Sequence, residues 1–251
     1  MRHLKHRHSN MPLSLVIVLV ASIAFLYAAV GHGGASGYIA LMVLLSNSPM
    51  FIKPTALLLN VVVSAISFLH FYRSGYFRKE VFLPFTILSV PMAFLGAKFP
   101  IGDDLFKILL SGCLIVSLGR LLLLREVDGT AEAKKIPLLP ALAIGALIGL
   151  LSGMIGIGGG VLLSPVLILF RWATLKESAA VAALFIFVNS LSGLAGIWSG
   201  GIGFSSEMAT FVLAATVGGA AGGKTGAGGN PVILKHFLAL VIAVAVFKLL
   251  L

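Results

Sequence analysis

Carboxylates are scarce in this chain. Eight Asp and Glu stand against 18 Lys and Arg in 251 residues, and charged residues make up only 10%. Soluble domains carry about 25%. With 59% hydrophobic residues and a mean hydropathy of +1.10, too little polar surface is left to cover a water-soluble core. A soluble globular fold is excluded, and a polytopic membrane protein is expected. All eight acids (Glu80, Asp103, Asp104, Glu126, Asp128, Glu132, Glu177, Glu207) fall in or beside gaps between apolar runs. That placement follows the cost of burying a charge in hydrocarbon. No carboxylate lies mid-segment, so coupling through a buried Asp or Glu is not expected. A single cysteine, Cys113, excludes an intramolecular disulfide and a cysteine-built metal site. It reads as a small apolar filler in a helix.

The net charge of +10 sits mostly at segment ends. There it suits topology and anionic headgroups better than nucleic acid. The tail Met1 to Asn10 carries Arg2, Lys5 and Arg7 with His3, His6 and His8. It resembles the start of a signal peptide. The apolar run after it is too long for one, so it is expected to stay in the mature protein.

A spanning helix needs about 20 apolar residues. Apolar segments run over 12–46, 53–72, 79–99 and 104–124, then 138–170, 178–198, 207–223 and 232–251, with a polar stretch from Arg125 to Lys135 between the sets. Glu80, Asp103-Asp104, Glu177 and Ser206-Glu207 mark helix starts, where carboxylates and caps suit the positive end.

Two glycine clusters interrupt the first segment of each set. One is Gly31-His32-Gly33-Gly34-Ala35-Ser36-Gly37 and the other Gly156-Ile157-Gly158-Gly159-Gly160, separated by 156 − 31 = 125 residues. At the same offset Leu59 falls on Leu184, Val63 on Val188, Ser67 on Ser192, and Ser74-Gly75 on Ser199-Gly200. The pattern predicts an all-α polytopic membrane protein of two homologous halves, 1–125 and 126–251. Each half has about four apolar segments, the first broken at its glycine cluster. If each broken segment returns to its starting side, the halves are inverted; if it crosses, they are parallel. Counting Lys and Arg on each side gives the same split either way. Loop 73–79 carries Arg73, Arg78 and Lys79, while its counterpart at 198–206 carries none. That asymmetry favours inversion, although the basic tail leans the other way.

Interrupted helices at corresponding positions of two halves mark transporter binding sites. A helix that restarts at mid-membrane presents free N–H groups and a positive dipole end, which suits an anion. The candidate substrate-binding residues are therefore Gly31, His32, Gly33, Gly34 and Ser36 in the first break, and Gly156, Gly158, Gly159 and Gly160 in the second. Asn60 and Ser64 on one helix face, with Asn189 and Ser190, complete the set. The competing reading is that the glycines allow close helix packing and the amides join helices. His32 is the candidate for proton coupling. His70, before Phe71-Tyr72-Arg73, reads as an interface anchor. Lys98 and Lys224 end segments, where they draw anions or snorkel. No catalytic residue, metal site or cofactor is expected.

Two motif matches point elsewhere. Gly218 to Thr225 fits the phosphate-loop spacing, but it ends an apolar helical run instead of following a strand. Gly34-Ala35-Ser36-Gly37 with His70 downstream suggests an intramembrane serine protease, which requires the two side chains within hydrogen-bond reach. A non-transporting membrane scaffold is the other alternative.

Val30 to Tyr38, Gly153 to Gly160 and the following Ser164-Pro165 resemble the signatures of the sulfite exporter TauE/SafE family. The first half departs from the pattern: Ala35 replaces the third glycine, and Ile39-Ala40 stands where the second half has Ser164-Pro165. The resemblance implies a permease in the bacterial inner membrane for sulfur-containing anions such as sulfite, thiosulfate or organosulfonates, with no ATPase domain.

Overall fold

The computed structural model describes residues 11–29, 31–45, 49–99, 101–123, 136–200 and 205–226. The histidine-bearing tail, the stretch Arg125 to Lys135 and the apolar run at 232–251 lie outside the described residues. Among the described residues all regular structure is helical: α1 (Leu13–Ala29), α2 (Ala35–Leu44), α3 (Pro49–Arg73), α4 (Lys79–Lys98), α5 (Asp103–Leu123), α6 (Leu138–Ile155), α7 (Gly160–Leu169), α8 (Leu175–Trp198) and α9 (Ser206–Gly226). Among the described residues, four stretches are long and apolar enough to cross a membrane: Met50–Arg73, Lys79–Lys98, Leu138–Ile155 and Lys176–Trp198. The segments at 12–46 and 138–170 each divide at their glycines into a long arm and a ten-residue arm. At 1.5 Å per residue the short arms reach about 15 Å, half of a hydrocarbon core.

Side-chain hydrogen bonds set two helix starts away from where the apolar runs put them. α8 begins before 178 at a complete capping box. The Glu177 N–H donates to Thr174 Oγ1 at 3.4 Å, and the Thr174 N–H donates to Glu177 Oε2 at 2.8 Å. α9 is capped by Ser205, whose Oγ accepts from the Met208 N–H at 3.3 Å, one residue before the Ser206 expected from sequence. α3 starts at Pro49, ahead of the apolar run at 53–72, and holds two polar residues in its first turns. Lys53 Nζ donates to the Ala97 carbonyl at 3.0 Å, and Thr55 Oγ1 donates to the Phe51 carbonyl at 2.6 Å.

Helix directions follow from the close approaches. Gly145, Gly149 and Gly153 of α6 back in turn onto the carbonyls of Phe85, Ser89 and Ala93, so α4 and α6 run parallel. Gly218 and Gly222 of α9 back onto the carbonyls of Ala21 and Phe25, so α1 and α9 run parallel. In both pairs the four-residue glycine spacing lets backbones touch, as in small-residue membrane helix packing. α3 runs parallel to α9, with Val63 and Ile66 beside Gly219 and His70 beside Gly223. α4 runs parallel to α8, through Ser89 to Asn189, Val90 to Ser192 and Phe94 to Gly196. α3 and α8 are antiparallel: Leu57 meets Gly193, while Phe71 packs with Ala179 and Ala180. α1 and α3 therefore share one direction, and α6 and α8 share the other. Each broken segment brings the chain back toward the side from which it entered.

Polar side chains are buried among the apolar core, and large apolar side chains cover much of the outside. Thr55, Asn60, Ser64, Ser67, Ser89, Ser152, Ser164, Ser178, Asn189 and Ser190 are fully buried. Leu139, Leu147, Leu83, Ile87, Leu213 and Val217 are exposed. This distribution fits a lipid surround, where burying hydroxyls inside lets them find partners that hydrocarbon cannot supply.

Candidate functional site

The two glycine breaks meet at one point. A Cβ added to Gly33 would lie 2.6 Å from Asn60 Oδ1 and 2.8 Å from Ile186 Cγ2. A Cβ added to Gly158 would lie 2.6 Å from Asn60 Nδ2, 2.8 Å from the same Ile186 methyl and 2.9 Å from Ser190 Oγ. The breaks thus lie on either edge of one amide, with only hydrogen at Cα. Both short arms start from a left-handed glycine, Gly34 (φ 97°) for α2 and Gly159 (φ 78°) for α7. Side-chain-bearing residues are strained there, which explains why both arms open on glycine.

Asn60 bridges the breaks. Its Oδ1 accepts from the Ala35 N–H at 2.9 Å, capping α2 from a neighbouring helix. Its Nδ2 has no hydrogen-bond partner among the described residues, and neither do Ser64 Oγ, Ser152 Oγ, Ser190 Oγ or the Tyr38 hydroxyl. An unpaired buried polar group costs about 1–3 kcal/mol. Native structures keep few of them, and one in a functional cavity waits for water or ligand. Four of the five lie at the breaks or next to them. Asn60 Nδ2 and Ser190 Oγ lie beside Gly158, the Tyr38 hydroxyl beside Gly34, and Ser152 beside Gly159. No Asp, Glu, Lys or Arg is fully buried among the described residues.

The two amides that look alike in sequence have different surroundings. Asn189 Oδ1 accepts from Ser89 Oγ at 2.7 Å, and its Nδ2 donates to the Phe185 carbonyl at 2.9 Å. Both ends are engaged: the carbonyl joins α8 to α4, and the amide nitrogen bonds the backbone of its own helix. Ser64, its counterpart at the 125-residue offset, is among the unpaired group.

His32 is buried and crosses to the second break, with Nε2 3.3 Å from Ser164 Oγ of α7. The Ser164 hydroxyl also lies 3.0 Å from the Gly160 carbonyl, so when its single hydrogen goes there, Oγ accepts from the imidazole. At the 125-residue offset, Ile157 and Ile39 replace this polar pair and are buried in one apolar cluster. Lys53 borders the second break: its backbone and Cγ lie 3.1 Å from a Cβ placed on Gly156.

Several residues that the alternatives single out have other engagements. Ser36 and His70 do not form a catalytic pair. Ser36 Oγ hydrogen-bonds the Tyr27 hydroxyl at 2.6 Å, and His70 Nδ1 bonds the Ile66 carbonyl of its own helix at 2.8 Å. The protease alternative therefore lacks its base. Gly218 and Gly222 of the phosphate-loop match are used in packing α9 on α1. Lys98 rests its ammonium over the Phe94 ring, 4.9 Å from the centroid. Sequence reasoning assigned no role to Tyr27, Tyr38, Ser152 or Ser164. Tyr38 had a usable signal, since it lies one helical turn after Gly34 on the arm that the break begins.

The sulfite exporter TauE/SafE family matches residues 15–249. The chain is 38% identical over 207 residues to "Probable membrane transporter protein y4hK" of Sinorhizobium fredii (strain NBRC 101917 / NGR234), covering 81% of this chain and 84% of that protein. It is 27% identical over 201 residues to "Probable membrane transporter protein YdhB" of Bacillus subtilis (strain 168), covering 77% and 79%. No solved structure matches. Facing helix breaks, an apolar exterior and these similarities lead to one assignment: the chain is a multi-pass membrane transporter, not an enzyme, and belongs to the sulfite exporter TauE/SafE family.

Proposed function

We propose that the protein is a secondary transporter or facilitator of small sulfur-containing anions such as sulfite, thiosulfate or organosulfonates, working in a bacterial inner membrane. The observation that carries this reading is the meeting of Gly33 and Gly158 at the Asn60 amide, among buried donors that lack partners. Backbone N–H groups at a helix start, amide hydrogens and hydroxyls all suit an acceptor-rich anion. A buried carboxylate would oppose one, and none is present among the described residues.

The halves are an inverted duplication in this reading. α2 at 35–44 and α7 at 160–169 differ by 125 at both ends, and α3 and α8 end 125 residues apart. The antiparallel course of α3 and α8 supports inversion, because parallel copies would run the same way. The halves, 1–125 and 126–251, then rock against each other around the breaks for alternating access. His32 carries the proton coupling through its contact with Ser164. The test is flux of radiolabelled sulfite, thiosulfate and a sulfonate in proteoliposomes, with and without a pH gradient. Flux of at least one of them above empty liposomes is expected. Absence of all three under both conditions contradicts the reading.

A further inference from the structure

The breaks are geometrically alike but chemically unequal. At the first, the arm α2 is already served, since the Asn60 carbonyl takes the Ala35 N–H. At the second, α7 opens on Gly159, which has no side chain to cap with. The position equivalent to Asn60 at the 125-residue offset is Phe185, whose ring lies 3.0 Å from a Cβ placed on Gly159. It offers α7 no acceptor. What faces the second break instead is a pair of donors. Asn60 Nδ2 and Ser190 Oγ are fully buried, unpartnered, and within 2.6 and 2.9 Å of the same point at Gly158. Donors converging with a helix start demand an acceptor.

Resting on the transport reading above, we infer that the protein binds one anion per transport cycle, at the second break only. Asn60 Nδ2, Ser190 Oγ and the N–H groups of Gly160 and Val161 hold its oxygens; those of Leu162 and Leu163 already donate to the Gly159 carbonyl. Asn60 is thus two-headed: its carbonyl fixes the first half's arm and its amide hydrogens hold the ligand against the second. The ligand is a monoanion with an oxyanion head, such as a sulfonate. The donors named are all neutral. The nearby ammonium of Lys53 is turned to the Ala97 carbonyl. Dehydrating an anion costs more steeply with charge than neutral donors can repay, so a dianion is disfavoured. The Ile186 methyl that both breaks share supplies an apolar wall for a short alkyl tail.

Calorimetric titration of the full-length protein in detergent with methanesulfonate and with sulfate tests this. Methanesulfonate is expected to bind more tightly than sulfate. Ser190→Ala should weaken methanesulfonate about tenfold or more, the range for a hydrogen bond to a charged group. Asn60→Asp keeps an oxygen for the Ala35 N–H and places a second oxygen where the donor was; it should abolish binding. Thermal unfolding without ligand identifies any variant that fails to fold, and Ser190→Ala, which only removes an unpaired hydroxyl, then decides alone. Sulfate binding as tightly as methanesulfonate overturns the inference. So does unchanged affinity in a folded Ser190→Ala. If wild type transports sulfonates while these variants keep wild-type affinity, the single-site inference falls and the transport reading stands. If wild type neither binds nor transports sulfonates but transports sulfite or thiosulfate, the inference falls and the transport reading stands; if it transports none of the three, both fall.

Discussion

The Ala35 N–H donates to Asn60 Oδ1 at 2.9 Å, which fastens the start of α2 to the middle of α3. A cap supplied from another helix ties the position of the break to the packing of α3 as well as to its own glycines. Asn60→Ala leaves that N–H without an acceptor in a buried place. The loss of a cap is expected to lower stability by about 1 kcal/mol or somewhat more. Thermal unfolding in detergent should show the shift, and Asn60→Asp, which retains an acceptor, should show a different one.

Gly33 offers a cleaner steric test than its counterpart. Gly158 has a positive φ, so any side chain there is strained as well as crowded; Gly33 has no such restriction. An alanine at Gly33 meets Asn60 Oδ1 and the Ile186 methyl and must displace the amide. Gly33→Ala is expected to reduce flux several-fold, and Gly33→Val to abolish it, with membrane insertion and yield retained. Flux in vesicles alongside quantification of folded protein checks both.

The packing glycines should behave in the opposite way. Gly149 backs onto the Ser89 carbonyl, and a Cβ there has only backbone to press against. Gly149→Leu must force α4 and α6 apart along their whole contact. Loss of the monodisperse folded species in size-exclusion chromatography is expected, not a selective loss of flux. Overpacking of this kind costs about 1–3 kcal/mol or more.

How much of this was legible beforehand differs residue by residue. The breaks were, because clustered glycine in an apolar run has few physical uses and the two clusters share one offset. The helices around them were too, apart from the starts that depend on Thr174 and Ser205 and the start of α3 at Pro49. The different fates of Asn60 and Asn189 were not. Each is an amide in an apolar run, and the carbonyl of the second is engaged by Ser89, on a helix 100 residues away. The His32 and Ser164 contact spans 132 residues and has no local pattern. The choice between packing and function for the glycines also split by position. The four-residue spacing of Gly145, Gly149 and Gly153 already spoke for packing.

His32 joins the breaks through Ser164, and its equivalent position holds Ile157. If it carries the coupled proton, His32→Gln keeps a side chain able to bond Ser164 but cannot change charge between pH 5 and 8. Flux driven by an imposed pH gradient is expected to vanish in this variant while exchange of labelled for unlabelled anion persists. Loss of both activities together would assign His32 to substrate binding or structure.

The central claim is that a sulfur-containing anion passes where Gly33 and Gly158 meet. The most direct measurement is exchange of radiolabelled sulfite and methanesulfonate in proteoliposomes holding equal amounts of folded wild-type, Gly33→Val or Gly158→Val protein. Exchange of at least one anion is expected for wild type, and none above empty liposomes for either variant. Wild-type rates in both variants would contradict the claim.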